Sequence, residues 1–489
     1  MSNITSLLME KFNIISQSEI KNGFEKLNVE KNRIKSCISF LKNSAESSVD
    51  MLVSITATDY VEKIELLYHL YSTKLNENIF ISTNVDAACP TVESISSVFK
   101  SATNEECEIF DLFGIEFESN KCLKRIFLPK EYVGSPMLKN QKYQQTENLG
   151  TEKDTISAFE TTLQIETDGD SIKSANPVIG KNHKQLEKTA EEMSFSEYLE
   201  KLTDVFFKEA FCEGVEKLSG ATVSDQAKYT RVLLCELERI KSHLGWAKDF
   251  LALTGPYFAH IQAKNELEEI TNLTEKSDVV PIFGGVSKKL DTESIENIEK
   301  FISNLSKSIA KFDVTSNKIF KSGLQNIGIL PKNTALNYAI TGVNHRASGI
   351  CADVRKKQPY LMYDILDFEI PTSSNGDCFD RFSTRIAEIK ESVKILEQCI
   401  DYLKSANECE FANVGEIPAG TAVSLIEAPT GLLGCTIISN GDEKPYRVKW
   451  RAGSFYSAQI LPYLLKDRYY SDFAQICGSL DIKTTEVDR

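Results

Sequence analysis

Two stretches of the chain place apolar residues at alternating steps of three and four, the signature of a helix that packs along one seam. Leu233, Leu237, Ile240, Leu244, Ala247 and Leu251 form the first, with Ser224 as its N-cap. Phe382, Ile386, Ile389, Val393, Leu396, Ile400 and Leu403 form the second. One seam on each of two long helices predicts a helical bundle. The first quarter is patterned differently. Residues 51–60, 63–71 and 78–83 are short and rich in β-branched and aromatic side chains, which predicts an antiparallel sheet. Residues 90–99 space Val92, Ile95 and Phe99 as a helix would. After Ala419, short alternating stretches broken by Gly and Pro predict a small β region. Residues 140–154 are polar and aperiodic, as in a linker. The expected architecture is α+β: an α/β sandwich over 1–138, a linker over 139–157, and a large, mainly helical part with small β regions over 158–489. No internal repeat is visible.

Bulk properties narrow the function. Nothing in the sequence approaches the roughly eighteen unbroken apolar residues of a membrane-spanning helix. Residues 1–10 show neither a basic head nor a small-residue cleavage site, so a cytoplasmic protein is expected, with any membrane association made through a partner. The net charge of −14, from 56 basic and 70 acidic residues, argues against nucleic-acid binding. A solvated acidic surface is the plainer reading of that charge, and a face for a basic partner the other. Twelve cysteines are scattered, and no two are separated by only two residues, the close pairing that zinc and iron–sulfur sites favour. They read as small buried apolar residues. Neither a Gly-x-Gly-x-x-Gly turn nor a phosphate-cradling loop occurs, so direct nicotinamide binding has no support in the sequence.

Ordered motifs then bring in a resemblance. Residues 104–117, Asn-Glu-Glu-Cys-Glu-Ile-Phe-Asp-Leu-Phe-Gly-Ile-Glu-Phe, with Leu123-Lys-Arg-Ile-Phe-Leu-Pro129 behind them, resemble the signature of the C-type (30 kDa) subunit of NADH–quinone oxidoreductase. Ser119 and Asn120 stand where that family has a histidine. The later part resembles the D-type (49 kDa) subunit and the large subunit of group 4, energy-converting nickel–iron hydrogenases. The match runs in family order through residues 179–188, 215–220 and 229–244. It continues through Arg346-Ala-Ser-Gly349, Asp353-Val-Arg-Lys356, residues 376–381 and Glu427-Ala-Pro429, and ends with residues 445–452, 479–481 and 487–489.

Two departures decide what this resemblance implies. A nickel–iron centre takes four thiolates from two Cys-x-x-Cys pairs. Neither residues 200–209 nor residues 481–489 contain a cysteine, and the lone Cys212 and Cys477 cannot replace the pairs. A chain with no metal of its own is therefore expected. The quinone site that the D-type family builds in the old metal cavity is the next expectation, but its parts are altered. Residues 158–162 replace the family's Gly-Pro-x-His-Pro loop, and the quinone-bonding tyrosine has no clear counterpart, Tyr198 serving only if the alignment shifts.

What remains is a polar skeleton. Glu236, Arg239 and His243 share one helix face beside the apolar seam. They read either as a buried relay for protons or strain, or as a solvated face or structural ion-pair cluster. Arg451 and Asp481 match cavity-lining positions and are expected to pair. His183 with Glu187 reads first as a helix-surface pair, and as a cofactor-binding or proton pair second. Asp377 and Asp380 with Arg381 read first as helix caps. His260 and His345 stand alone. The resemblance implies a subunit of a membrane-associated oxidoreductase complex that couples electron transfer to proton or ion movement. Its partners would be a small iron–sulfur subunit, which carries the cluster, and membrane-arm subunits, with a quinone as the possible small molecule. The alternative is a scaffold subunit that has lost both hydrogenase and quinone chemistry.

Overall fold

A computed structural model describes residues 3–12, 14–21, 23–141, 155–181, 183–405 and 412–489. Helix takes 46% and strand 21%, with the sheet early and helices later, so the chain is α+β as expected. The first sheet contains β1 (Ile14–Ile20), β2 (Phe24–Val29), β3 (Met51–Asp59), β4 (Lys63–Ser72) and β5 (Glu77–Asp86), in the order β1-β2-β5-β4-β3. The expected antiparallel pairs β3/β4 and β4/β5 form, while β2 joins β5 in parallel. Although β3 lies at the sheet's edge, all nine of its residues are buried. Side chains from elsewhere satisfy its outer backbone. Glu105 accepts from Ile55 N at 3.0 Å, the Arg447 guanidinium donates to Ala57 O at 2.9 Å, and the Tyr456 hydroxyl lies 2.8 Å from Val53 O. The helical part thereby covers an edge that would otherwise invite another strand.

The helix expected over 90–99 does not form. Thr91–Glu93 (β6) instead pairs in parallel with Glu116–Glu118 (β7), and the helix begins later, at Ala102–Phe113. Glu106 on that helix accepts from Ile95 N and Ser94 Oγ, at 2.8 and 2.7 Å. Those bonds hold the segment as a turn, so Val92, Ile95 and Phe99 reach the core without helical backbone. The helix stops at Gly114, which takes the left-handed conformation that a Cβ disfavours. Most of the expected linker, residues 142–154, lies outside the described residues, as does Cys409.

Beyond it, Thr155–Ala158 (β8), Thr161–Asp168 (β9) and Ser171–Pro177 (β10) make a small sheet, and Pro281–Ile282 (β11) pairs with Gly285–Val286 (β12). The two seamed helices are Asp225–Thr254 and Cys378–Ser405; they pack together, with Tyr257–Ser277 and Thr292–Phe312 alongside. Ser224 Oγ caps the first by accepting from Ala227 N. The β region expected after Ala419 comprises Gly420–Ala428 (β13), Gly431–Ser439 (β14) and Arg447–Arg451 (β15), antiparallel throughout. It ends at Arg451, after which Gly453–Leu465 and Phe473–Leu480 are helical. Among the described residues, no helix is long and apolar enough to cross a membrane.

Candidate functional site

The apolar seams bring the two long helices together, and charged residues follow the same period beside them. Glu236, Arg239 and His243 come from one helix; Arg381, Arg385, Glu388 and Ser392 recur at steps of four, three and four on the other. All are buried, so the solvated-face reading of Glu236, Arg239 and His243 is excluded. The packed helices trap these charges, and each must find a partner.

The partners form a continuous chain. Glu236 takes hydrogen bonds from the Tyr363 and Ser392 hydroxyls, both at 2.6 Å. Its carboxylate also meets Arg239 Nε at 3.2 Å and Arg355 Nη1 at 3.1 Å. Arg355 grips Asp353 with two nitrogens, at 3.0 and 2.7 Å. Asp353 stands 3.5 Å from Arg346, which pairs with Glu427 at 2.6 Å and Glu388 at 2.5 Å. Glu388 then meets His243 Nε2 at 3.0 Å. The Glu427 carbonyl accepts from Arg239 Nη2 at 2.6 Å, which folds the chain back on itself.

Four carboxylates (Glu236, Asp353, Glu388 and Glu427) share three guanidiniums (Arg239, Arg346 and Arg355). Burial pushes every acid up, and the arginines decide which stay ionised. For Glu236, burial is outweighed by Arg239 and Arg355 with the two hydroxyls, which bring it to about 2. Glu388 and Asp353 are likewise held below the usual carboxylate range against burial, chiefly by Arg346 and Arg355 respectively. Glu427 moves the other way: burial and neighbouring Asp353 raise it against the pull of Arg346. Burial also lowers His243, Glu388 opposing, so its ring is neutral and its Nδ1 has no hydrogen-bond partner.

Arg451 and Asp481 do not pair. Arg451 is taken up by Thr341 Oγ1 at 3.1 Å and the Ala339 carbonyl at 2.7 Å, over the Tyr456 ring. Asp481 faces Lys483 at 3.1 Å and Arg385 at 3.9 Å. The separation follows from topology, because β14 and residues 339–341 hold both terminal nitrogens of Arg451. His183 and Glu187 are not a helix-surface pair either. The helix starts at Leu186, and His183 precedes it, half-buried and stacked on Phe127 at 4.6 Å. Glu187 instead receives Arg447 at 2.6 Å, Lys449 at 3.6 Å and Arg489 at 3.9 Å. Glu108 on the Ala102–Phe113 helix shares two of these cations, with Arg489 at 2.9 Å and Lys449 in close contact. This second cluster ties the early sheet to the helical part. Asp377 does cap its helix, accepting from Asp380 N at 2.9 Å. Asp380 closes the preceding loop, and Arg381 is buried among Ser479 and two carbonyls.

The quinone-type features do not fit. Where the family loop with its histidine is expected, Phe159 sits in the β8–β9 turn against Gly478, and Glu160 accepts from Thr484 N at 3.1 Å. Tyr198 is buried, and its hydroxyl accepts from Trp450 Nε1 at 2.8 Å. Its ring packs in the core against Phe211. Among the described residues no group of three or more His, Cys, Asp or Glu side chains is arranged to hold a metal ion. Cys212, Cys235 and Cys435 are buried, which pushes their thiols well above the ordinary value.

The family model for the 30 Kd subunit of respiratory-chain NADH dehydrogenase matches residues 27–147, and that for the 49 Kd subunit matches residues 276–417 and 408–489. The D subunit of NADH-quinone oxidoreductase from Bacillus cereus (strain ATCC 10987 / NRS 248) is 36% identical over 345 residues, covering 67% of this chain and 93% of that protein. The C/D subunit of the same enzyme from Hydrogenobaculum sp. (strain Y04AAS1) is 30% identical over 509 residues, covering 87% of this chain and 89% of that protein. This chain belongs to the C/D-type family of NADH–quinone oxidoreductase subunits. The D subunit from Geobacillus thermodenitrificans (strain NG80-2) is also 35% identical over 345 residues. Within that family assignment, Arg346, Asp353, Arg355 and Glu427 lie in segments whose resemblance was visible in the sequence. Their role in the charge chain was not. Glu388, Ser392 and Tyr363 were missed altogether, although the period of Arg385, Glu388 and Ser392 beside the apolar seam was a readable signal.

Proposed function

We propose that this chain is the fused C/D-type subunit of a membrane-associated complex I-like oxidoreductase, in which its buried charge chain couples electron transfer to proton or ion movement. One observation carries the reading: the chain from Arg239 to His243 is unbroken, wholly buried, and has one carboxylate more than it has arginines. Such a network has no solvent to screen it, so a charge arriving at one end is felt at the other. In this reading residues 1–138 are the C-type part and 158–489 the D-type part, joined through 139–157. A small iron–sulfur subunit holds the cluster, membrane-arm subunits move the ion, and the assembly sits on the inner face of the cell membrane. This chain holds neither a nickel–iron centre nor another redox group, and quinone chemistry belongs to the assembled complex.

A second reading, a scaffold that has lost its chemistry, draws support from Phe159 against Gly478. The assembled complex in vesicles separates the two. The coupled reading expects electron transfer with ion uptake, and expects His243→Gln to cut uptake several-fold more than electron transfer. Absence of turnover in the wild-type complex, or equal effects on both rates, overturns it and leaves the scaffold.

A further inference from the structure

The early sheet and the helical part do not meet flush everywhere. A groove of about 570 Å³ opens between Phe24 and Ile79 on the sheet side and Pro359 and Val423 on the other. An inner chamber of about 50 Å³ lies behind it, walled by Met51, Val53, Val354 and Leu432. Both are lined by Asn78, Gln358 and Leu425, so the two cavities adjoin and are considered together as one cleft. Its inner end borders the charge chain at Asp353 and Glu427, but the reading proposed above does not use the cleft as a binding site.

Polar atoms that line it lack hydrogen-bond partners, Glu213 Oε2 in the groove among them. His345 lines the inner chamber, is 2% exposed, and its Nε2 has no hydrogen-bond partner. Glu77 lines the outer groove, and its Oε2 has none either. Leaving such atoms unpaired is costly, and native proteins retain them where something else completes the bonding. The remaining charges narrow the choice of ligand. Asp353 and Glu427 are answered by Arg355 and Arg346, and Glu213 by Lys217 at 2.7 Å. Glu77, with Glu25 also in the lining, gives the groove an acidic character that repels anions and favours an ammonium group. At the inner end Lys357 disfavours a second cation, and burial keeps the His345 ring neutral. A neutral hydroxyl suits that end. The chamber is well below the roughly 150 Å³ of a cavity that takes benzene, so the inner group must be small.

We propose that this cleft binds a slender organic cation of the amino-alcohol class, its ammonium on Glu77, its apolar stem along Leu425, and its hydroxyl on His345. Calorimetric titration of the full chain with 5-aminopentanol tests it, with pentylamine and 5-hydroxypentanoate as controls. Saturable binding of 5-aminopentanol is expected, with 5-hydroxypentanoate at least tenfold weaker. Glu77→Gln should weaken 5-aminopentanol about tenfold, and His345→Leu should abolish its advantage over pentylamine. No saturable binding at millimolar concentration overturns the proposal. So does equal affinity for 5-hydroxypentanoate, a result on the wild-type chain that holds even if a variant fails to fold.

Discussion

The Tyr456 hydroxyl lies 2.6 Å from Glu105, joining a helix near the end of the chain to one in its first quarter. Glu105 is wholly buried, and burial raises its pKa although Lys449 pulls the other way. The same carboxylate receives Ile55 N from the covered edge of β3. One side chain thus satisfies the sheet edge and the helical part together.

Tyr456→Phe keeps the ring and removes only the donor. A buried acid deprived of one partner costs about 1–3 kcal/mol. The urea midpoint should fall while the slope of the transition stays constant. An unchanged midpoint would show that Glu105 finds another donor.

A second constraint is steric. Gly342 and Gly431 face each other where the Gly342–Ala347 helix meets the β13–β14 turn. Both have positive φ, 68° and 123°, and a Cβ on Gly342 would stand 2.4 Å from the Gly431 Cα. Backbone cannot move aside as a side-chain tip can. Gly342→Ala should therefore destabilise by about 4 kcal/mol or more, the range reserved for core overpacking or backbone strain. The adjacent Arg346 ion pairs should loosen with it. Folding at wild-type stability would mean that the turn shifts freely.

The elements that sequence made legible are those whose signal is local. The seams from Leu233 to Leu251 and from Phe382 to Leu403 repeat within one helix, and both helices form. The segment over 90–99 misled because its apolar spacing suits a helix, while Glu106, more than ten residues away, holds it as a turn. The charge chain was half legible for the same reason. Glu236, Arg239 and His243 announce a shared face, but whether that face is wet or buried depends on Glu388, Arg355 and Glu427. These arrive from three other segments, and nothing in a charged residue's identity tells which partner it will meet. Arg451 and Asp481 show the same limit: both are buried, yet the distant Ala339 carbonyl and neighbouring Lys483 claim them instead of each other.

Buried histidines give a pH prediction whose sign can be fixed. Burial lowers His69 from 6.5 to about 4, with Asn78 accepting its Nε2 proton at 2.7 Å. In the unfolded chain the ring protonates near 6.5; in the folded chain it does not until about 4. Its contribution is thus complete above 6.5 and is lost as pH falls towards 4. Glu106 and Glu209 act in the opposite sense, since burial raises both to about 7 and they bind protons sooner when folded. Comparing wild type with His69→Gln cancels those shared terms. Between pH 6.5 and 4 the wild type should lose about 1.4 kcal/mol per pH unit relative to the variant. Parallel denaturation curves at all pH values would mean that the ring protonates equally in both states.

The charge chain itself can be tested for coupling. Glu236→Gln is nearly isosteric and keeps an acceptor for Tyr363 or Ser392, yet it removes the charge shared by Arg239 and Arg355. Arg355 retains Asp353 at 2.7 Å, whereas Arg239 has no other carboxylate among the described ion pairs, only the Glu427 carbonyl. The stranded cation is therefore Arg239, and its burial without a counter-charge should cost about 3–5 kcal/mol. Replacing Arg239 as well removes the stranded charge, so Glu236→Gln/Arg239→Gln should be less destabilised than the two single costs added. The expected coupling is about 0.5–3 kcal/mol, read from a cycle of urea midpoints. If the costs add within error, the two side chains act separately, and a signal could not pass along the chain through their contact.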